Sequence, residues 1–210
     1  MFDIIIPTFD REKKLQRCIN GILSQDFKDW RLVVTYDARH EFVFKIWNRE
    51  IPKTVGDWVI PICDDTEFYP DALEKLVKLC NEKFPDTDGL IGMNQVGIPP
   101  DAEGYSKSAQ VAIGRKFIER FNGYPVYCPD YISFGADAEL GHFARSIDKF
   151  YFAEEIKMTH YHPCHFPEEM DETHRINRAN NRVEIDNGKL VERIYKRGWT
   201  WGKDWNLLCS

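Results

Sequence analysis

The stretch ICDDTEFYPDALEKL, residues 62–76, closes an apolar run on two adjacent carboxylates, Asp64 and Asp65, and then enters a helical pattern behind Pro70. Carboxylate oxygens in that setting can hold a hard divalent cation, which in turn neutralises the phosphates of a bound nucleotide. The competing use is local, since Asp commonly caps a turn. A second group, HYHPCH, offers His160, His162, Cys164 and His165. Such near neighbours rarely close a tetrahedral zinc site without a distant partner, and a histidine hydrogen-bonded in the core is the other local reading. Arg175, Arg178 and Arg182 recur at helical spacing, so one helix would present them together as a diphosphate clamp. With Glu168, Glu169, Asp171 and Glu172 close by, a solvated, salt-bridged face is the commoner use of that pattern.

Groups like these need elements to aim them. FDIIIP reads as a buried strand stopped by a proline that cannot donate to a ladder. Residues 11–24 place Leu15, Cys18, Ile19, Ile22 and Leu23 on one helical face, with Asp10 as N-cap, and WRLVVTY follows as a second strand. Strand, helix, strand with short links is the grammar of a parallel sheet buried on both faces. DWVIPIC, ending in the acidic pair, and GLIGMNQVG supply further strands, and Pro70 opens a helix carrying Leu73, Leu76, Val77 and Cys80. In a parallel sheet the ligand crevice lies at the carboxyl ends of the strands, where Thr8, Asp37, Asp64 and Asp65 all fall.

Residues 98–104 turn to Pro, Gly and Asp and divide the chain. Beyond them, GRKFIERFNG and ADAELGHFARSI read as helices, and EIKMTHYHP as a strand with His160 and His162 on one side. Residues 167–197 are expected to be helical with a break at DNG. The tail tryptophans Trp199, Trp201 and Trp205 would either stack on a sugar ring or seal a core edge.

The whole is 210 residues, 43% hydrophobic and 30% charged, enough for one domain with a substantial core and unlike a disordered chain. A net charge of -6 gives no general attraction to nucleic acid. Six scattered cysteines without a CxxC pair fit a reducing compartment. The start, MFDIIIPTFDREKK, has neither the flanks of a signal peptide nor the length of a membrane span, so a cytoplasmic protein without a transmembrane segment is expected.

Taken in order, DIIIPTFDREKKLQRCINGILSQDFKDWRLVVTYDAR, GDWVIPICDDTEFYPDALEKL, GADAELGHFAR and THYHP resemble family-2 glycosyltransferases with the GT-A fold, over most of residues 1–165. The resemblance implies one α/β domain: a mostly parallel central sheet flanked by helices, with a Rossmann-like nucleotide-sugar half at 1–97, an acceptor and catalytic half at 98–166, and a helical, Trp-rich tail at 167–210. It implies that Pro7, Thr8 and Phe9 line the base and ribose, that Asp37 meets the uracil edge and that Asp64 joins the nucleotide-sugar site. Asp65 would be the direct ligand of a Mn²⁺ or Mg²⁺ ion, with His160 or His162 as a further ligand. Asp137 would be the base that deprotonates the acceptor, with Glu139 as the alternative.

The implied activity is a metal-dependent, inverting, hexosyltransferase-like transfer from a UDP-sugar to a hydroxyl acceptor. Three positions depart from the family pattern: Tyr36 and Cys63 stand where acids are usual, and Ala136 replaces a glutamate. Those departures keep open a non-catalytic relative that binds nucleotide or sugar, and the histidine cluster keeps open a zinc-dependent hydrolase.

Overall fold

A computed structural model describes residues 1–98, 105–196, 198 and 200–202. Its seven strands form a single sheet in the order β2-β1-β3-β6-β5-β7-β4. These strands are β1 (Phe2–Thr8), β2 (Trp30–Tyr36), β3 (Trp58–Pro61), β4 (Thr66–Phe68), β5 (Leu90–Val96), β6 (Val111–Gly114) and β7 (Phe150–His160). β1 lies parallel to both β2 and β3, and β5 parallel to β7, whereas β6 runs antiparallel to β3 and β5 and β4 antiparallel to β7. Two successive reversals across β6 restore the direction, so β1, β2, β3, β5 and β7 all point the same way. Their carboxyl ends share one edge of the molecule, and the site is built there.

Period-two alternation divides the strands between two cores. Ile5, Val59, Leu90 and Ile113 face one side, which is covered by α2 (Val43–Glu50), α4 (Arg115–Glu119), α5 (Ala136–Ser146) and α7 (Arg182–Leu190). Ile4, Ile6, Ile60, Ile91 and Met93 face the other, covered by α1 (Glu12–Leu23) and α3 (Ala72–Lys83). The remaining helix, α6 (Glu172–Ala179), buries none of its residues fully and lies at the site edge. No helix among the described residues is long and apolar enough to cross a membrane.

Three local expectations need correction. Asp10 does not cap α1; it accepts a hydrogen bond from the Tyr36 hydroxyl at 2.8 Å, and Arg11 occupies the cap position without a side-chain cap bond. Pro70 does not open α3, which starts at Ala72 behind Asp71 at a left-handed φ of 63°, and Gln25 Oε1 accepts from the Leu73 amide at 3.1 Å. Finally, the helical break in the tail falls at Asn180 and Asn181, where Asn181 adopts a left-handed φ of 48°, and α7 runs straight through DNG. Asn tolerates that backbone region better than most residues.

Asp186, inside DNG, has a tertiary task. Fully buried, it accepts from the backbone amides of Ile132, Ser133 and Phe134 at 2.8–3.2 Å and pairs with Lys189 at 3.1 Å. That fixes the approach to α5, which Gly135 then enters at φ +91°, with the Tyr131 ring only 3.0 Å from where a Cβ would stand. Asp186→Ala leaves three amides without their charged acceptor and is expected to cost about 3 kcal/mol. Urea denaturation checks this; a loss below about 1 kcal/mol would show that water replaces the carboxylate.

Candidate active site

The shared strand edge gathers side chains far apart in sequence. Thr8 ends β1, Asp37 follows β2 with its amide on the Thr8 carbonyl at 2.8 Å, and Cys63, Asp64 and Asp65 follow β3. Gln95 lies near the end of β5 and His160 ends β7. The antiparallel pairing of Thr66 with His160, together with the Tyr161 amide on the Asp65 carbonyl at 2.8 Å, locks the acidic pair against the histidine.

Asp64 and Asp65 are 1% and 2% exposed, so each must be compensated. Arg11 does most of this. Its guanidinium donates to Asp64 Oδ1 at 2.6 Å and Asp65 Oδ2 at 2.7 Å, and its Nε lies 2.9 Å from Asp171. Thr8 adds a hydroxyl to Asp64 at 2.7 Å. Burial still lifts Asp64 to about 6, against the pull of Arg11 and with the push of Asp65. At Asp65 burial acts in the same sense, but His160, Arg11 and His174 outweigh it and hold the carboxyl well below its usual range. Lys14 bonds Asp171 at 2.6 Å and the Glu169 carbonyl at 2.6 Å, and Arg17 pairs with Glu169 at 2.7 Å while stacking on Tyr161. The first turns of α1 thereby hold the 167–171 segment over the acidic pair.

The second oxygen of Asp65 is differently placed. Buried Oδ1 accepts no hydrogen bond, and it lies 3.2 Å from His160 Nε2. The tautomer of that ring follows from its other side. Gln95 Nε2 donates to the Ser106 carbonyl at 2.9 Å, which turns Gln95 Oε1 onto His160 Nδ1 at 2.7 Å. Oε1 only accepts, so Nδ1 carries a hydrogen, and Nε2 is the nitrogen turned to the carboxylate, as an N–H in the imidazolium and as a lone pair in the neutral ring. That pairing calls for a positive charge between nitrogen and oxygen, which either a proton or a metal ion supplies. Cys63 Sγ, an Asp65 oxygen and a His160 nitrogen lie within 4.8 Å of one another. The residues present therefore fit a divalent cation.

Beside this group lies a narrow cleft lined by Pro7, Thr8, Phe9, Asp37, His40 and Asp64, with about 40 Å³ free. The five residues assigned from sequence to the nucleotide-sugar all border it. Asp37 closes the loop after β2, accepting from the amides of Glu41 at 2.8 Å and Phe42 at 3.0 Å. His40 stacks between Phe9 at 4.2 Å and Phe42 at 4.8 Å, and Arg182 covers Phe42 at 4.1 Å. Left-handed φ values at His40 and Phe42, 53° and 71°, are the backbone cost of inserting that imidazole.

Asp137 sits in the first turn of α5, partly buried, close enough to His160 to feel its charge. Burial raises its carboxyl to about 6, with nearby backbone amides restraining the shift. Glu139 stands two residues on, about 200° around the helix, and is fully buried. Arg193 grips both its oxygens at 3.0–3.1 Å and the Trp201 amide bonds it at 2.6 Å. It is committed to anchoring the tail.

His162 lies outside the group of three possible ligands. Its Nδ1 accepts from the Cys164 amide at 3.3 Å, its ring meets those of His160 and His174 at 5.4 and 5.0 Å, and burial lowers it to about 4. Cys164 and His165 are exposed and are not brought to it as a zinc site. Arg182 is separated from Arg175 and Arg178 by the break at Asn181, so the three do not share a helix. Trp201 packs on the core with its Nε1 on the Pro125 carbonyl at 2.6 Å, and Trp199 and Trp205 lie outside the described residues.

Arg11, Lys14, Gln95, Asp171 and His174 carry the site and were not singled out from the sequence. One signal was available: Arg11, Lys13 and Lys14 crowd the N-terminus of a helix, the end that disfavours cations.

Neither a protein-family model nor a curated protein matches the chain. Solved structures do. The mannosyltransferase PcManGT of Pyrobaculum calidifontis, in complex with GDP-Man and Mn²⁺, superposes with a TM-score of 0.65 at 14% identity, over 91% of this chain and 64% of that one. S. aureus TarS residues 1–349 superpose at 0.61 and 16% identity, over 83% of this chain and 68% of that one, and the same fragment with UDP-GlcNAc at 0.55 and 16%, over 73% and 56%. This chain thus spans about two thirds or less of the lengths it matches. It has the GT-A-type fold of nucleotide-sugar glycosyltransferases.

The charge arrangement is testable without any ligand. Arg11→Met leaves two buried carboxylates side by side, a loss of about 3–5 kcal/mol at pH 8. Asp64, already raised, would rise further, and a raised carboxyl contributes stability below its unfolded pKa that is lost as pH climbs through the folded one. The deficit of the variant should therefore shrink between pH 8 and pH 5 in denaturant titrations. A pH-independent deficit would mean that packing, not charge, is what Arg11 supplies.

Proposed function

We propose that the chain is a glycosyltransferase that transfers a sugar from a nucleoside diphosphate donor, with uridine favoured as the base, to a hydroxyl acceptor by a single inverting displacement. The observation that carries this reading is the meeting of Thr8, Asp37, Asp64, Asp65 and His160 at the carboxyl edge of five co-directed strands, with buried Asp65 Oδ1 facing His160 Nε2 at 3.2 Å and accepting no hydrogen bond of good geometry. The solved structures of similar fold include complexes with UDP-GlcNAc and with GDP-Man and Mn²⁺, which supports a nucleotide-sugar donor and a divalent ion.

In this reading the nucleobase enters the slot between Phe9 and Phe42 by displacing His40, whose strained backbone favours departure. Asp37 holds the loop that forms the far wall. Asp64, tied to Thr8 and Arg11, presents that wall to the ribose. Asp65 and His160 hold the divalent ion, which when bound neutralises charge on the leaving diphosphate. Arg11 and Lys14 add fixed positive charge on the same side. Residues 98–166, of which 99–104 lie outside the described residues, form the acceptor half in this reading, and Asp137 takes the proton of the attacking hydroxyl while the bond from the anomeric carbon to the diphosphate breaks. A carboxyl raised to about 6 is ionised at neutral pH yet basic enough to assist, a contribution typically of about 10²–10⁴-fold.

Two measurements test the assignment. Thermal shift with UDP, GDP and UDP-sugars should show a rise that needs a divalent ion and disappears in Asp65→Ala; equal shifts in that variant would remove Asp65 from the site. In transfer assays the rate should climb as pH rises through about 6, because the base must be ionised, and Asp137→Asn should lose at least about 10²-fold in turnover while still binding donor. Full activity of Asp137→Asn would place the base elsewhere.

A further inference from the structure

Cys63 stands where the resemblance expects the first acid of the metal motif, but the structure gives it surroundings suited to a ligand. We infer that Cys63, Asp65 and His160 form a sulfur, oxygen and nitrogen donor set that selects a thiophilic divalent ion of the zinc type over Mg²⁺. The inference rests on the proposed metal role of Asp65 and adds to it the chemical class of the ion.

Four observations converge. The three donor atoms lie within 4.8 Å of one another, against roughly 3.3–3.8 Å between ligands of a tetrahedral ion with bonds of about 2.0–2.3 Å, so a contraction of about 1 Å closes the set. Asp65 Oδ1 is buried and takes no hydrogen bond, while Oδ2 is already occupied by Arg11, so an ion on Oδ1 leaves the arginine in place. Gln95 holds His160 Nδ1, which turns Nε2 toward Asp65 as the nitrogen an ion would bind. Cys63 has a matching partner: Gln110, 1% exposed, directs its Nε2–H at the sulfur at 3.8 Å, the arrangement a thiolate needs.

Each of the two softer ligands is thus oriented by a buried glutamine from the neighbouring strand region. Second-shell bonds of that kind fix ligand geometry and charge. A thiolate and an imidazole prefer zinc or cobalt, whereas Mg²⁺ prefers oxygen ligands and water. On binding, the thiol proton leaves to solvent and sulfur bonds the ion, with no change of oxidation state.

Cobalt(II) reports thiolate ligation directly. The full chain carrying Cys164→Ser and Cys209→Ser, which remove the thiol exposed among the described residues and the one outside them, is stripped with chelator and titrated with Co²⁺, with and without UDP. The expected result is a sulfur-to-cobalt charge-transfer band saturating at one ion per chain, abolished by Zn²⁺ but not by excess Mg²⁺, and absent when Cys63→Ser is added. Cys63→Asp should keep cobalt binding without that band and gain affinity for Mn²⁺, and Gln95→Leu should weaken Zn²⁺ binding by about 10–100-fold. Cobalt binding that strengthens with UDP but shows no charge-transfer band overturns the thiolate while leaving the transferase reading intact. A band that depends on Cys63 but ignores UDP upholds the site and counts against the nucleotide reading. No cobalt binding at all overturns both.

Discussion

Two carboxylates buried next to each other in sequence cannot both stay ionised unless positive charge is built around them. At Asp64 and Asp65 that demand is met by Arg11 from the start of α1 and at one remove by Lys14, with the rings of His160 and His174 placed against Asp65. The geometry of the surrounding elements follows from it. The cations of α1 that neutralise the pair also hold Glu169 and Asp171, so the 167–171 segment is drawn across the site by the same electrostatics that keep the acids charged. β4, only three residues long, pairs antiparallel with β7 at the edge of the sheet and thereby sets Asp65 against His160.

Asp65 divides its oxygens between two kinds of charge. Oδ2 faces a permanent cation in Arg11, and Oδ1 faces Nε2 of a histidine whose other nitrogen is held by Gln95. The guanidinium makes the carboxylate tolerable when nothing is bound, and the free oxygen remains available for an ion. A site in which both oxygens were satisfied by Arg11 would be more stable and would hold nothing. Asp64 shows that alternative, with Thr8 on one oxygen and Arg11 on the other.

Much of this frame was legible in the sequence. The apolar runs of β1, β2, β3 and β5 and the amphipathic faces of α1, α3 and α5 carry periodicities that local reading can use, and strand ends mark the crevice in any sheet of co-directed strands. Hence Thr8, Asp37, Asp64 and Asp65 could be placed together. The short β4 and β6, three and four residues long, gave too little pattern to read, and they are the two strands that reverse direction. Helix α2 was also passed over, although Phe44, Ile46 and Trp47 bury one face of it. Glu139 illustrates a different limit. Its place in the first turn of α5 resembles that of Asp137, and only the distant Arg193 and Trp201, arriving from the tail, separate an anchor from a candidate base.

The same limit applies to Cys63, and here it bears on how such a site can change. Read in one dimension, a cysteine in an acidic motif is a lost ligand. In three dimensions it sits beside Gln110, which directs an N–H at its sulfur, and within reach of Asp65 and of a histidine already turned by Gln95. A cysteine here, where an acid would add a third carboxylate to Asp64 and Asp65, lowers the negative charge that Arg11 must balance, because the partly buried thiol stays neutral: desolvation, followed by Asp65 and Asp64, pushes its ionisation well above the usual range. In the inferred site an incoming divalent ion would restore that charge by displacing the thiol proton. Cysteine at this position therefore eases the electrostatic load on the cluster and still offers a group of the kind the inferred ion would bind.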